Sequence, residues 1–228
     1  MTIARLESPP VGPTALATGS SRDLRRLRDE FERNQCVQLP RLLSDALLDR
    51  ILGQIDEGEF TVREHTGIST ELCMETGKAP AFLMFLTNDP GLFEFVCAIT
   101  ACDRIGYFNG RVYRMMPGPE HEDSWHDDAQ GDRMVAMSIN LSPTPYSGGI
   151  LEIRDHPSKN VLHRAPNTGP GDAVLFRIAA GLQHRVTAVE GQVPRTAYAG
   201  WFTAGPDLVL LHPNDAAAST ADRGASRE

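Results

Sequence analysis

The sequence feature that most restricts the fold is a series of short β-rich runs in the second half of the chain. From Gly106 onward, runs of apolar and β-branched residues alternate with turn sequences such as Pro-Gly, Ser-Gly-Gly, Gly-Pro-Gly and Glu-Gly-Gln. Short strands joined by such turns indicate an antiparallel sandwich or barrel. The runs that we expect to be strands are 107–108, 111–116, 134–141, 150–153, 161–162, 173–178, 184–189 and 197–203.

The first half of the chain has a helical pattern instead. Apolar residues at helical spacing follow the potential N-caps Ser21, Ser44 and Asp89, which predicts three helices. Short strands are expected at 36–40 and 60–65. Helices followed by a strand-rich half suggest helices that support one sheet. We therefore predict a mostly β fold with flanking helices, a double-stranded β-helix (jelly roll) supported by the N-terminal helices.

One domain is expected to account for most of the 228 residues, 41% of which are hydrophobic. Residues 1–20 are rich in Pro, Gly, Ser, Thr and Ala, and residues 212–228 also lack periodicity. We expect these segments to be a flexible leader and a flexible tail. The single domain would then span 21–211, with the β-helix core at about 105–204.

Composition restricts the partners and the compartment. A net charge of -8 argues against nucleic acid as the main partner, because phosphate binding needs a basic surface. The sequence contains neither an apolar run long enough for a membrane helix nor the pattern of a secretory signal, so we expect a cytoplasmic protein without membrane contact. The four cysteines are scattered without zinc-like spacing, which is typical of reduced thiols.

Three side chains can form one metal site in this framework. His126 and Asp128 are two residues apart, so in an extended segment both side chains point the same way. His184, 56 residues after Asp128, would come from a neighbouring strand. Two histidines and one carboxylate on one face of an octahedron leave three positions open, as in non-heme Fe(II) oxygenases. We therefore predict that these three residues are the ligands of one iron.

The motifs around this set follow a recognisable order. They are His126-x-Asp128, Gly148-Gly149-x-Leu151, Gly171-Asp172 with an apolar strand ending in Phe176, His184-x-Val186, and Arg195 followed six residues later by Trp201. Together, residues 107–203 resemble the catalytic core of the Fe(II)- and 2-oxoglutarate-dependent dioxygenases, in particular the prolyl-hydroxylase-like branch. The helix–strand–helix that precedes them resembles the N-terminal support of the same family.

The resemblance implies a hydroxylase that uses O2 and releases succinate and CO2. His126, Asp128 and His184 would be catalytic iron ligands, and Arg195 would bind the distal carboxylate of the co-substrate 2-oxoglutarate. A guanidinium fork suits this role because it grips a carboxylate through two charge-assisted hydrogen bonds. The resemblance also implies ascorbate as a reductant. Relatives that halogenate have a small residue in place of Asp128, so this carboxylate favours hydroxylation.

The resemblance also suggests the walls of the co-substrate pocket and a cover for the site. Trp201, Val186 and Leu151 would be apolar walls. We expect a lid from residues 67–80, which have the composition of a loop, or from the 117–124 loop. The substrate would be a small molecule, an amino acid or a peptidyl residue. Desaturation or cyclisation by the same chemistry, and the oligomeric state, stay open.

This chain departs from the family pattern at two positions. Met137 stands where relatives carry a tyrosine that helps to hold 2-oxoglutarate, and Ala197 stands where a serine is common in other branches. The secondary hydrogen bonds to the co-substrate must therefore come from elsewhere. The candidates are Tyr113, Arg114 and Asn140, on strands whose inward face the sequence does not define.

Two other function classes fit parts of the pattern. A non-catalytic, cupin-like jelly-roll binding protein would share the fold, but cupins favour His-x-His with a following Glu. A zinc hydrolase accepts the same ligand types, but it would lack an evident general base and would leave Arg195 unexplained. We expect the remaining polar candidates to be structural or surface residues: Arg63, His65, His121, Asp127, His156 and His163.

Overall fold

A layer of helices packs on one face of a large antiparallel sheet, and a smaller sheet lies against the other face. The computed structural model describes residues 21–65, 69–121 and 123–205. The helices are α1 (Ser21–Asn34), α2 (Asp45–Asp56), α3 (Lys78–Thr87) and α4 (Pro90–Thr100), with a 3₁₀ turn at Pro119–His121. The strands are β1 (Cys36–Leu39), β2 (Thr61–His65), β3 (Ser69–Met74), β4 (Tyr107–Met115), β5 (Arg133–Asn140), β6 (Ser147–Gly148), β7 (Leu151–Asp155), β8 (Val161–Ala165), β9 (Ala173–Arg177), β10 (Leu182–Val186), β11 (Val189–Glu190) and β12 (Arg195–Thr203).

Helices α2 and α4 begin at the caps that the sequence predicts. The Ser44 hydroxyl accepts a hydrogen bond from the Leu47 amide at 3.5 Å. The Asp89 carboxylate accepts from the amides of Gly91 and Leu92 at 2.8 and 3.2 Å, and Pro90 occupies the first turn, where its missing N–H costs nothing. These caps satisfy amides that have no partner within the helix.

The strands form two facing antiparallel sheets, which confirms the predicted jelly roll. The large sheet has the order β1-β9-β5-β12-β4-β3-β2, the smaller one has the order β10-β7-β8, and β11 pairs with β6. Strand β12 pairs with β4 on one side and β5 on the other. Because side chains alternate along a strand, Tyr198 and Phe202 face the helices, whereas Arg195 and Trp201 face the smaller sheet.

The main core lies between the large sheet and the helices. Phe108, Tyr198 and Phe202 are fully buried there, and the Phe108 and Phe202 ring centroids are 4.5 Å apart. Each such side chain contributes roughly 1.5–3 kcal/mol by burial. A second core fills the space between the two sheets with residues such as Ile153, Val174 and Phe176. The large sheet is thus buried on both faces and forms a rigid wall for the site.

The expected loop at 67–80 is wrong. Ser69–Met74 form β3, which pairs with β4, and Lys78 begins helix α3. The expected break between 107–108 and 111–116 is also wrong, because 107–108 and 111–115 both belong to β4. Asn109-Gly110 resembles a turn, but Gly110 is a packing residue: a Cβ atom there would lie 2.6 Å from the Phe108 ring.

Several expectations concern segments outside the described residues. They include the leader at 1–20 and the tail at 212–228, together with positions 66–68 and 122. Among the described helices, none alone is long and apolar enough to cross a membrane, although α3 and α4, bent by 60°, pass that length and composition test together. The four cysteines are free thiols, and burial raises the pKa of Cys36 to about 12.

Candidate functional site

The three predicted metal ligands converge on one point at the end of the smaller sheet. His126 and His184 form an isolated antiparallel bridge, in which each amide donates to the other carbonyl at 3.1 and 2.8 Å. This bridge fixes the backbone distance between the two histidines. The predicted extended geometry of His126-x-Asp128 is wrong, because Asp128 has φ +54°. Aspartate tolerates this left-handed conformation, which here turns the carboxylate towards both imidazoles.

The ligand atoms are spaced for one ion. Oδ2 of Asp128 lies 3.6 Å from Nε2 of His126 and 3.3 Å from Nε2 of His184. The ligand atoms of all three residues lie within 4.8 Å of one another. Ligand bonds of about 2.0–2.2 Å place neighbouring donor atoms roughly 3 Å apart, so small adjustments would close this set around a first-row metal.

Outer hydrogen bonds orient the histidine and the carboxylate. Nδ1 of His126 lies 2.7 Å from the carbonyl oxygen of Ser124, which can only accept, so Nδ1 carries the hydrogen and Nε2 keeps its lone pair. The indole N–H of Trp201 donates to Oδ2 of Asp128 at 2.9 Å, and Arg133 donates to Oδ1 at 3.3 Å. Such outer partners fix the ligand geometry of metal sites.

Electrostatics favours the metal-binding forms of Asp128 and His184. For His126, burial lowers the pKa, but the interactions with Asp128 and Ser124 outweigh it and raise that pKa. Burial raises the pKa of Asp128, but its interactions with the imidazoles of His126 and His184 outweigh it and hold that pKa well below its usual range. Burial lowers the pKa of His184 and outweighs its hydrogen bond to Asp128. The site therefore presents an ionised carboxylate and a neutral buried imidazole, which are the forms that ligate.

Arg195 lies at the other end of a cavity of about 180 Å³ that the three ligands also line. Its guanidinium donates to the Tyr113 hydroxyl and, at 3.1 Å, to the Ser138 hydroxyl. Its Nε is buried without a hydrogen-bond partner. Burial lowers the pKa of Arg195, but Tyr113 and Tyr146 outweigh it and raise that pKa above its usual value. The cavity thus joins the three predicted metal ligands to a permanently charged guanidinium.

Gly149 provides the space that Arg195 needs. It has φ +59°, and a Cβ atom there would lie 2.9 Å from Cδ of Arg195 and 3.0 Å from the Tyr146 ring. Any larger residue would therefore displace the arginine or the tyrosine. This lack of space explains why the second residue of the Gly148-Gly149 motif is a glycine.

The structure separates the candidates for secondary contacts. Tyr113 and Asn140 line the cavity, but Arg114 is on the opposite face of β4, where it bonds Thr196 and lies over the Phe60 ring. The predicted walls Leu151, Val186 and Trp201 all line the cavity. Trp201 has a further role that the sequence did not predict, because its N–H binds Asp128.

Sequence reasoning missed Ser138 and Tyr146, which both contact Arg195. Ser138 lies two residues before Asn140 on β5, so strand alternation was a usable signal once Asn140 was considered. Tyr146 lies in a connection between strands, where no periodicity indicates which way a side chain points.

The other polar residues lie away from the cavity or have structural contacts. His121, His156 and His163 do not line it. Asp127 accepts a hydrogen bond from the Ala129 amide at 3.0 Å, the structural role that was expected. Arg63 pairs with Glu75 at 3.0 Å at the surface. The side chain of His65 lies outside the described residues.

The donor set fits the iron and the 2-oxoglutarate that the sequence resemblance implies. Two imidazoles and one carboxylate occupy one side of the point on which they converge, and such facial sets suit Fe(II). The buried, unpartnered Nε of Arg195 has unused hydrogen-bonding capacity in the same cavity. A dicarboxylate that reaches from the metal to this arginine would use it.

Comparison with known proteins agrees with this geometry. Residues 110–203 match the family model of the 2OG-Fe(II) oxygenase superfamily. A search of curated proteins gave no match. The structure is similar to a 2OG-Fe(II) oxygenase family oxidoreductase from Burkholderia pseudomallei, with TM-score 0.63 and 15% identity over 81% of this chain and 92% of that one.

Two further solved structures share the fold. A Pseudomonas putida prolyl-4-hydroxylase has TM-score 0.60 and 19% identity, over 80% of this chain and 99% of that one. The α-ketoglutarate-dependent epimerase SnoN from nogalamycin biosynthesis has TM-score 0.61 and 14% identity, over 81% and 84%. At these identities the likeness is one of fold.

Proposed function

Because residues 110–203 belong to the 2OG-Fe(II) oxygenase superfamily, we propose that the chain hydroxylates an unactivated C–H bond of a small molecule, an amino acid or a peptidyl residue. The protein is a non-heme iron dioxygenase whose cofactors are Fe(II) and 2-oxoglutarate. The family match removes the support for a cupin-like binding protein and for a zinc hydrolase.

The observation that carries the proposal is the shared cavity. We assign His126, Asp128 and His184 to the iron and Arg195 to the distal carboxylate of 2-oxoglutarate, because all four line one space from opposite ends. When bound, Fe(II) with 2-oxoglutarate supplies O2-dependent oxidation of the substrate, with release of succinate and CO2.

Side chains around the cavity hold the carboxylate of Asp128 and the guanidinium of Arg195 in position. Trp201 and Arg133 hold the Asp128 carboxylate in place from the outside. Tyr113 and Ser138 fix the Arg195 guanidinium, so that its fork is preorganised for a carboxylate. Apolar residues such as Leu151 and Val186 line the space between the two ends.

Asp128 favours hydroxylation over halogenation, as the sequence resemblance implies, but it does not distinguish hydroxylation from desaturation, cyclisation or epimerisation. The epimerase of similar fold has a different outcome on the same architecture, so the reaction must be measured. Product analysis by mass spectrometry decides it: hydroxylation adds one oxygen atom, whereas desaturation or cyclisation removes two hydrogen atoms.

Anaerobic titration tests the site assignment. Fe(II) and 2-oxoglutarate added to the protein should give the weak visible charge-transfer band of their chelate. Asp128→Ala should abolish succinate production, because the carboxylate ligand is lost. Arg195→Ala should weaken 2-oxoglutarate binding by about tenfold or more, since charge-assisted hydrogen bonds are lost. An unchanged 2-oxoglutarate titration in Arg195→Ala would refute the co-substrate assignment.

A further inference from the structure

A second charged pair in the same cavity is not used by the proposed reaction. Arg111 from β4 and Glu71 from β3 both line the cavity. Nη1 of Arg111 lies 3.7 Å from Oε1 of Glu71, which is an ion pair beyond hydrogen-bond distance. Both side chains are largely buried, at 25% and 14% exposure. The two groups are therefore close enough to balance charge, but Nη1 of Arg111 does not donate a hydrogen bond to Oε1 of Glu71.

Nη1 of Arg111 is a buried donor without an acceptor. A buried charged donor that lacks its hydrogen bond costs free energy, so native proteins keep few of them. The described residues contain four buried, unpartnered side-chain nitrogen or oxygen atoms, and two of them, on Arg111 and Arg195, line this one cavity. Because we assign Arg195 to 2-oxoglutarate, the unpartnered Nη1 of Arg111 needs a different ligand.

The location of Arg111 places that ligand beside the metal. Arg111 lies opposite Ala199 on β12, whereas Arg195 lies opposite Met115, four residues further along β4. The Arg111 guanidinium is 5.8 Å from the centre of the Trp201 ring, and the Trp201 N–H binds Asp128. The two arginines are therefore at different positions along the cavity. The Trp201 indole, which contacts Asp128, is also the ring next to Arg111.

We propose that Arg111 binds a carboxylate of the substrate beside the metal. This proposal rests on the proposed function and names its substrate class: a small carboxylic acid, such as an amino acid. A guanidinium binds a carboxylate through two parallel hydrogen bonds, which would supply the acceptor that Nη1 lacks. Arg111 would then hold the substrate by its carboxylate and leave a C–H bond over the metal.

Succinate release tests the proposal with matched acids and amides. The probes are the proteinogenic L-amino acids and the same compounds with the carboxylate converted to a primary amide. We expect at least one free acid to accelerate succinate release, and its amide to have an apparent KM at least about tenfold higher, because a charge-assisted contact is lost. Replacing Arg111 should remove this preference without changing the KM for 2-oxoglutarate.

The variants separate recognition from folding. Arg111→Gln should raise the KM of the acid about tenfold and leave that of the amide unchanged. Arg111→Lys should recover part of the preference, because it keeps the charge but loses the fork. Glu71→Gln combined with Arg111→Gln removes both charges of this ion pair together. Arg63→Gln, which removes a surface arginine outside the cavity, is the matched control and should behave as the parent protein.

Three results would overturn the proposal: equal KM values for acid and amide, retention of the preference in Arg111→Gln, or no acceleration by any carboxylate in the panel. The proposed function is judged separately. Substrate-free succinate formation and the anaerobic visible band depend on the metal and 2-oxoglutarate alone. Their loss in the parent protein would refute the proposed function, whereas their presence with no carboxylate preference would refute only the role of Arg111.

Discussion

Asp128 connects the metal site to the wall of the large sheet. Its Oδ2 lies close to Nε2 of His184 on the metal side and accepts a hydrogen bond from the Trp201 indole on the outer side. Arg133 donates to Oδ1 and also lies over the Trp201 ring, with its Cζ 3.8 Å from the ring centre. The carboxylate therefore has a fixed direction before any metal binds.

Replacing Trp201 with phenylalanine should weaken metal binding. The change keeps an aromatic ring for Arg133 but removes the N–H that holds Asp128, and losing such an outer contact typically costs about 10- to 100-fold in affinity. Anaerobic Fe(II) titration measures the effect. Trp125→Phe is the matched control, since Trp125 contacts Arg154 and Arg185 through its ring face. Equal Fe(II) affinity in both variants would contradict the role of the indole N–H.

Replacing Gly149 with alanine should impair co-substrate binding. The new Cβ would lie 2.9 Å from Cδ of Arg195, and the positive φ adds strain of roughly 1–2 kcal/mol. Gly191→Ala is a matched control, because Gly191 also has a positive φ, +78°, but no atom within 4 Å of its Cβ position. Both variants should lose stability in thermal denaturation, and only Gly149→Ala should raise the KM for 2-oxoglutarate. A raised KM in both would assign the effect to strain alone.

At the scale of elements, the smaller sheet holds the loop of His126 from the outside. Buried Glu152 on β7 accepts hydrogen bonds from Arg164 and Arg185 at 2.6 and 2.8 Å. Arg185 on β10 lies over the Trp125 ring, next to His126. Strand β10 thus supplies the ligand His184 on its inner face and a support for the other histidine on its outer face.

The contribution of Glu152 should depend on pH. Burial raises its pKa, but hydrogen bonds from Arg164 and Arg185 outweigh it and lower that pKa below the usual value. A lowered pKa in the folded state stabilises the protein above the unfolded pKa of about 4.3, and the stability is lost as pH falls through the folded value. Glu152→Gln should therefore cost roughly 1–3 kcal/mol at pH 7, and progressively less below pH ~4.

Chemical denaturation at several pH values checks this dependence. Exposed Glu59→Gln is the control, and it should change the free energy of unfolding little at any pH. If Glu152→Gln lowers the free energy of unfolding by the same amount from pH 7 to pH ~3, the charge of the Glu152 carboxylate does not stabilise the fold.

The elements that the sequence predicted are those with local signals. The caps Ser44 and Asp89 determine where α2 and α4 begin, and alternation identifies most strands of the barrel. Strand β3 was not predicted because its pairing with β4 is a long-range contact that its own composition does not encode. The metal ligands were recognisable because their spacing is a motif, whereas Tyr146 and Glu71 reach the cavity only through tertiary packing.

At the scale of the whole molecule, ligand binding and stability should be linked. Anaerobic Fe(II) at about 100 times its Kd should stabilise the fold by about 2.7 kcal/mol, or roughly 5–10 °C in Tm, and 2-oxoglutarate should add to this. Asp128→Ala should lose the Fe(II)-dependent increase, while Arg195→Gln should lose only the increase due to 2-oxoglutarate. The same increase in Asp128→Ala as in the parent protein would place the metal elsewhere. Differential scanning fluorimetry measures all of these shifts.

The pairing of β1 with β9 determines when the domain can be completed during synthesis. Cys36 in β1 pairs with Phe176 in β9, about 140 residues later in the chain. At roughly 5–20 residues per second, β1 is made about 7–28 s before its partner. Strand β10, with His184, follows β9. In the nascent chain, the apolar strand β1 therefore stays without its partner strand until β9 has been synthesised. A chaperone that shields this strand should raise the yield of folded protein.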